Sequence, residues 1–524
     1  KVYEMLLEEL TVKETPYNKL NKEYQVYESN IVEYLQKRGI LQESLIDVQD
    51  ATYKAWREEE TISLSEYLHY AISMGWVDVT KLELDSQYAD SEEIYDKVVD
   101  SIFMILDNTV EYQKKLFKYM LKNDVISGKQ VCFILCEQRR VEINEQDVTL
   151  LYDGKITAYD FMINRIRNLD ITPAQLALDP CSGSIVITDI HTGDVLALVS
   201  YPSYDNNKMA NTVDAQYYAS LQSDRSHPLL NYATQYKSAP GSTYKMVSAT
   251  AGLMEGIVTS KTTVTCMGSF NVVTPPPKCW VFPGAHGSQN VSSAIRNSCN
   301  IFFYQVGYNL STVNGAYNAN EGLETLAKYA QMFGLTEKSG VEIAEYVPDI
   351  SDELPIQSAI GQGSNSFTTV GLARYVATVA NSGTCYDLTL LDKVTSLDGK
   401  IIEEFEPEII NTVNMPKENW DLIHTGMRGV IQNMSYYSDF GVDVAGKTGT
   451  AQESTTRADH ALFIGYAPYD NPEIAIATRI AFGYSSGYAA QTSKEVLRYY
   501  YDLAEEEEIL TGEANSMDNV TYGD

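Results

Sequence analysis

Apolar residues in the first 170 positions recur at helical spacing. Val98, Ile102, Ile105 and Leu106 fall on one face of a segment over 92–121, followed by Leu116, Phe117 and Met120, with charged and tyrosine residues between them. That is the pattern of an amphipathic helix packed against neighbours. Cys132 and Cys136 sit inside another apolar helical stretch, where packing is the default role. This region holds one histidine, His69, and no catalytic constellation; it reads as packed helices serving as a pedestal or a partner surface. From Cys181 onward strand and helix signals alternate. Runs at 185–187 and 195–199, joined by His191-Thr192-Gly193-Asp194, read as a hairpin. Runs at 461–466 and 474–477 flank the turn Asp470-Asn471-Pro472 and, with the strand carrying Lys447, predict an antiparallel sheet. A helix over 489–506 would return across one face, giving a sheet with helices on both sides, an α/β (α+β) arrangement. The expected division is a mainly helical region over 1–170, a sheet-bearing domain over 171–508 and an acidic tail over 509–524.

Length and charge narrow the classes. A chain of 524 residues exceeds one ordinary core. Its net charge of −32 argues against nucleic acid or an anionic membrane surface as a partner, because either would repel it. There is no apolar run of the roughly 18 residues a membrane span needs. The chain starts at Lys1 rather than at an initiator methionine, which reads as an ectodomain whose anchor lies outside this sequence.

The candidate chemistry lies in three ordered motifs. Ser242-Thr243-Tyr244-Lys245 follows Ser238-Ala239-Pro240-Gly241 and opens a helix-compatible apolar run over 246–254, so one turn carries a hydroxyl and an amine on the same face. Alone, Ser-x-x-Lys is common. Ser298-Cys299-Asn300 and then Lys447-Thr448-Gly449 complete the set. A serine hydroxyl needs a base, and a lysine serves only when neutral, a state favoured by burial and by a second cation nearby. Lys245 fits the base and Lys447 the cation. Ser298 can relay a proton between the lysines, and Asn300 can hold Lys245 and a substrate carbonyl. Thr448 and Thr450, on a strand beside Gly449, offer hydroxyls to a substrate carboxylate. Backbone N–H groups of Ser242 and Thr450 form the natural oxyanion pair. Nothing beside His227 or His460 suggests a Ser-His-Asp triad, and the acidic residues show no paired-carboxylate pattern.

These ordered motifs resemble the penicillin-binding proteins, the serine transpeptidases that cross-link bacterial peptidoglycan and are acylated by β-lactams. The resemblance runs over about 181–503. It includes the first hairpin, Gly361-Gln362-Gly363, Ala380-Asn381-Ser382-Gly383-Thr384 and the extended Lys447-Thr448-Gly449-Thr450-Ala451-Gln452 typical of high-molecular-mass members. It implies a serine β-lactamase/transpeptidase-like fold and a class B-like D,D-transpeptidase on the extracytoplasmic face of a bacterial membrane. Stem peptides and β-lactams would be its ligands, other cell-wall synthesis proteins could meet the N-terminal region, and catalysis would require no cofactor. The alternatives are a D,D-carboxypeptidase, β-lactamase or β-lactam sensor of the same fold, or a non-catalytic scaffold. The chain has no Glu-x-x-Leu-Asn, and its long span from Ser298 to Lys447 resembles the large transpeptidases more than the compact hydrolases.

Four of the soft or titratable ligands cluster between two of the motifs: Cys266, Cys279, His286 and Cys299. Three thiolates and an imidazole suit a closed structural zinc site. If Ser298 and Asn300 face the cleft, Cys299 between them faces away, towards a loop packed behind. Some class B members are thought to hold a metal in this region. A Cys266 to Cys279 disulfide and unrelated buried thiols are the competing readings.

Overall fold

Helix starts in the N-terminal region are set by side chains that satisfy free backbone N–H groups. Helix α1 (Leu64–Ser73) begins at Ser63, whose hydroxyl accepts from Glu66 N–H. Helix α2 (Ser91–Asp107) begins with a reciprocal capping box between Asp90 and Glu93, a device worth about 1 kcal/mol. The structure, a computed structural model, describes residues 2–84, 89–123, 125–138, 145–174, 178–454 and 456–512. It contains two compact units, residues 1–139 with 143–162, and 140–142 with 163–524.

The first unit is helical, with a core that includes Leu35, Tyr67, Leu68, Val98, Ile102 and Leu106. Val98, Ile102, Ile105 and Leu106 are buried as their spacing predicts. The single segment expected over 92–121 is two helices, because α2 stops at Asn108 and α3 (Val110–Lys122) starts afresh. The restart changes the buried face: Tyr112 is buried, and Phe117 is 55% exposed. Cys132 and Cys136 are buried on α4 (Gly128–Glu137), which Ser127 and Gln130 cap reciprocally.

In the second unit β1 (Ser182–Asp189) and β2 (Val195–Tyr201) form the expected hairpin. Helix α5 (Lys245–Met254) follows the Ser-x-x-Lys turn, and nine of its ten residues are buried. It is apolar nearly all round, as a helix inside a core must be. Next come α6 (Val291–Arg296), α7 (Asn300–Leu310), α8 (Thr369–Ala380) and α9 (Lys417–Gln432). Three strands, β3 (Ala445–Ala451), β4 (His460–Ala467) and β5 (Ile474–Ala481), then join the hairpin in a five-stranded sheet of order β3-β4-β5-β1-β2. Each pairing is antiparallel.

Strand alternation divides the sheet between two cores. Leu462, Ile464, Ala475 and Ala477 share a cluster with Tyr375 and Val376 of α8 and with α5. Ala461, Phe463, Ile474 and Ile476 pack with Ala489, Ala490 and Leu497 of α10 (Ser486–Tyr500). All eight residues of β4 are buried, which is why its sequence reads as a continuous apolar run rather than an alternating one. The C-terminal helix is shorter than expected over 489–506. It starts at Ser486, where Ser485 caps Gly487 N–H, and ends at Tyr500; Asp502 then turns left-handed, and a separate helical turn covers Glu506–Ile509. Most of the acidic tail expected over 509–524 falls on 513–524, outside the described residues. No helix among the described residues is long and apolar enough to cross a membrane.

Candidate active site

The nucleophile turn lies directly against β3 because glycines remove the side chains that would hold them apart. Gly241 has φ +51°, and a Cβ there would lie 2.5 Å from the Thr450 carbonyl oxygen and 3.4 Å from its nitrogen. A Cβ at Gly449 would lie 2.8 Å from the Pro240 oxygen. The Ser-x-x-Lys motif is not the first turn of an α-helix. Gly241–Tyr244 is a 3₁₀ turn that runs into α5. In a 3₁₀ turn residues i and i+3 eclipse, and Lys245 Nζ lies 3.0 Å from Ser242 Oγ.

Ser298 closes the cluster from the opposite side. Helix α6 ends at Arg296, and Ser298 takes a left-handed conformation at φ +49° before α7 begins at Asn300. A non-glycine residue pays about 1–3 kcal/mol for that conformation, and the return is geometric. Lys245 Nζ donates to the Ser298 hydroxyl at 2.9 Å, to the Ser298 carbonyl at 2.9 Å and to Asn300 Oδ1 at 2.7 Å. The Ser298 hydroxyl also lies 2.9 Å from Ser242 Oγ. Ser242, Lys245 and Ser298 are almost wholly buried, at 3%, 0% and 1% exposure. Ser242 and Asn300 still reach the surface of a cleft of about 530 Å³, lined also by Trp280, Thr450, Gln452 and Tyr484.

The third motif divides its residues. Lys447 is fully buried, and its ammonium donates to the Thr448 carbonyl at 2.9 Å and hydroxyl at 3.4 Å. Thr450 lines the cleft, whereas Thr448 is buried with its hydroxyl next to Lys447. Alternation does not explain this, because 448 and 450 share one face of the strand; β3 is an edge strand, and Thr450 is its last residue but one. The backbone of Thr450 lies against Gly241, the residue before Ser242.

Cys299 points the other way, as the spacing of Ser298 and Asn300 requires. The ligand atoms of Cys266, Cys279, His286 and Cys299 all lie within 4.8 Å of one another, with all three cysteines buried. Cys279 Sγ is 3.6 Å from His286 Nδ1. A hydrogen bond from the Cys299 thiol holds the Cys279 thiol well below the ordinary range, and that bond, with burial, raises Cys299. None of the seven cysteines, all of them among the described residues, is joined in a disulfide. The ribbon of Val264–Cys266 and Gly287–Gln289 brings the first ligand of this cluster beside His286.

His460 is not placed as a triad base for Ser242. Its Nε2 lies 3.0 Å from Glu453 Oε2, and its Nδ1 accepts from Phe482 N–H at 3.1 Å. Burial raises Glu453, but the hydrogen bonds from His460 and from Ala239 N–H, with the nearby Arg479 guanidinium, outweigh it and hold the carboxyl below its usual range. Trp280 and Tyr484, which line the cleft, and Glu453, which accepts from Ala239 N–H, carry no motif, and only the folded chain brings them into place.

Residues 183–501 match the penicillin binding protein transpeptidase domain family. The chain is 28% identical over 374 residues to the peptidoglycan D,D-transpeptidase MrdA of Haemophilus influenzae, covering 62% of this chain and 53% of that protein. It therefore spans about half the length of the curated relatives it matches. A solved structure of the ceftriaxone acyl-enzyme of penicillin-binding protein A from M. tuberculosis is 26% identical at a TM-score of 0.51, covering 58% of this chain and 69% of that one. The complex of penicillin-binding protein 2 with MreC from Helicobacter pylori is 25% identical at a TM-score of 0.52, covering 62% and 60%.

Proposed function

We infer activity from this premise: the chain belongs to the penicillin-binding protein transpeptidase family. The reading the site supports best is a class B peptidoglycan D,D-transpeptidase, and the observation that carries it is the buried amine of Lys245 held 3.0 Å from Ser242 Oγ at the floor of an open cleft. In this reading Ser242 Oγ attacks the carbonyl carbon of the penultimate D-Ala of a stem peptide. Its proton passes to a neutral Lys245, directly or through the Ser298 hydroxyl, which lies 2.9 Å from both. Backbone N–H groups of Ser242 and Thr450 receive the oxyanion. Collapse breaks the peptide bond, and the departing D-Ala amine takes up the proton. The amine of a neighbouring strand then attacks the ester, forms the cross-link and returns the proton to Ser242.

The edge position of β3 supports a peptide ligand, since an extended chain can add to an open strand edge. The substrate carboxylate is assigned to the Thr450 hydroxyl, with Lys447 supplying positive charge from behind; Thr448 orients Lys447 rather than the substrate. A β-lactam follows the same first step, but its opened ring stays attached and blocks the second. Labelled stem pentapeptide offered with an amine acceptor tests the reading by the product formed. Cross-linked product with D-Ala release supports transpeptidation, hydrolysed product alone indicates a carboxypeptidase, and fast loss of a penicillin adduct indicates a β-lactamase. Placement on the extracytoplasmic face of a membrane through an anchor, and contact with other cell-wall synthesis proteins through the helical unit, belong to the same proposal.

A structural zinc ion at Cys266, Cys279, His286 and Cys299 is the accompanying proposal. The donor set fits: four ligand atoms already lie within reach of a single ion, and Cys279 is biased towards thiolate. The ion would supply no catalytic step. It would tie the ribbon after α5 to the back of Ser298 and Asn300 and so stiffen one wall of the cleft. Protein purified without added zinc is expected to carry about one equivalent, and Cys279→Ser to lose the metal and melt at a lower temperature. A Cys266 to Cys279 disulfide in unreduced protein would refute the proposal while leaving the acyl-transfer reading intact.

A further inference from the structure

We infer that His460 and Glu453 form a two-armed positioning pair, one arm fixing the nucleophile segment and the other fixing the lip of the cleft at residues 482–485. The inference rests on Ser242 being the acylated residue. In the first arm Glu453 Oε1 accepts from the backbone N–H of Ala239 at 2.9 Å, three residues before Ser242, while Glu453 Oε2 faces His460 Nε2 at 3.0 Å. In the second arm His460 Nδ1 lies 3.1 Å from Phe482 N. A backbone N–H can only donate, so Nδ1 is unprotonated and the ring proton resides on Nε2, pointing at the carboxylate. The tautomer is fixed from both ends, with a His460 side chain that is 0% exposed.

Both arms end on backbone that requires holding. Gly241 is left-handed and seated on Thr450, and Ala239 is the nearest residue upstream that Glu453 grips. At the lip, Phe482 (φ +52°) and Tyr484 (φ +67°) are both left-handed non-glycine residues, a costly pair for bulky side chains. The lip has other supports: the Arg457 guanidinium lies 3.2 Å from the Phe482 ring centroid, and Tyr484 N–H bonds the Asp459 carbonyl at 3.1 Å. His460 links this lip to Glu453. Tyr484, 57% exposed, and Ser485 stand in the cleft lining, where a bound acyl donor would meet them. The pair therefore adjusts two different quantities: the approach of Ser242 to the reacting carbon and the shape of the wall the ligand rests on.

Two substitutions separate the arms. His460→Gln places an amide N–H where Nε2 was and keeps the bond to Glu453, while giving up the acceptor for Phe482. His460→Asn places a carbonyl oxygen where Nδ1 was and keeps the bond to Phe482, while giving up the donor to Glu453. Each removes one buried hydrogen bond, so a merely structural role would lower stability and activity in both alike. Stopped-flow acylation by a fluorescent penicillin resolves an apparent binding constant from the acylation rate constant. His460→Asn is expected to lower the rate constant by about 10- to 100-fold with little change in binding. His460→Gln is expected to weaken binding by about 3- to 10-fold and to hold the rate constant within a few-fold.

Glu453→Gln provides a check at a side chain that is 34% exposed and tolerant of change. A single amide cannot accept from both Ala239 and His460, so this variant should match His460→Asn. Equal effects of the two His460 variants on the same parameter, or a native rate constant in Glu453→Gln, overturn the inference. Failure of the unaltered protein to acylate at Ser242 overturns instead the activity on which it rests.

Discussion

Ser242→Ala is expected to abolish covalent labelling by penicillin. The Ser242 oxygen is the only hydroxyl of the Ser-x-x-Lys turn that lines the cleft, and it lies 3.0 Å from the Lys245 amine. Thr243 is spoken for, because its hydroxyl donates to the Pro240 carbonyl within a fully buried environment. Ser298 has a hydroxyl 2.9 Å from both Ser242 and Lys245, but its exposure is 1% and it is not among the residues lining the cleft. Removing one oxygen from the turn leaves its backbone bonds in place, so the variant should fold. Loss of a nucleophile typically costs about 10⁶-fold, beyond the range of a labelling assay. Intact mass after penicillin treatment should therefore show one adduct in the parent, on the peptide containing Ser242, and none in Ser242→Ala. An adduct that persists in the variant would place the nucleophile elsewhere and undo the acyl-transfer reading.

What the sequence made legible, and what it hid, follows from the range of the interactions involved. The hairpin β1-β2 and strands β4 and β5 could be read because strand burial leaves unbroken apolar runs between turn residues. Val98, Ile102, Ile105 and Leu106 could be read because helix periodicity is local. The break at Asn108 and Thr109 could not, since continuous periodicity over 92–106 says nothing about where a packed helix must turn back. At the site, the first two motifs supplied Ser242, Lys245, Ser298 and Asn300, which share one hydrogen-bond network. The four metal-type ligands were found by type and converge in space. Thr448 is buried with its hydroxyl next to Lys447, a placement the motif does not predict, because a motif does not say which hydroxyl a strand turns towards a cleft. Glu453 and His460 were missed for a different reason. Their partners, Ala239 and Phe482, are backbone N–H groups that any residue could supply, so no side-chain pattern marks them.

The second large effect is expected from Lys245→Ala, in which acylation should slow by about 10²- to 10⁴-fold, the usual worth of a general base. Lys245 is the hub of the site: its amine meets Ser242 Oγ, the Ser298 hydroxyl, the Ser298 carbonyl and Asn300 Oδ1 within 3.0 Å. Substitution removes the proton acceptor and also leaves the buried Ser298 carbonyl and Asn300 Oδ1, which can only accept, without this donor, at a cost of about 1–3 kcal/mol each. Lower stability is therefore expected alongside lower activity, and the two must be separated. Asn300→Ala and Ser298→Ala each take one contact from the amine but leave the amine itself; the first reports the structural share, and the second adds the share carried by the Ser298 relay. If Lys245 is the base, its loss should reduce the acylation rate constant far more than either of those variants at matched folded fraction. The remaining slow reaction should retain its dependence on Ser242, because the oxyanion donors and the seating of Gly241 on Thr450 are unaltered. Acylation at the parent rate in Lys245→Ala would show that the proton leaves Ser242 by another path, with Ser298 accepting it at 2.9 Å as the first alternative to measure.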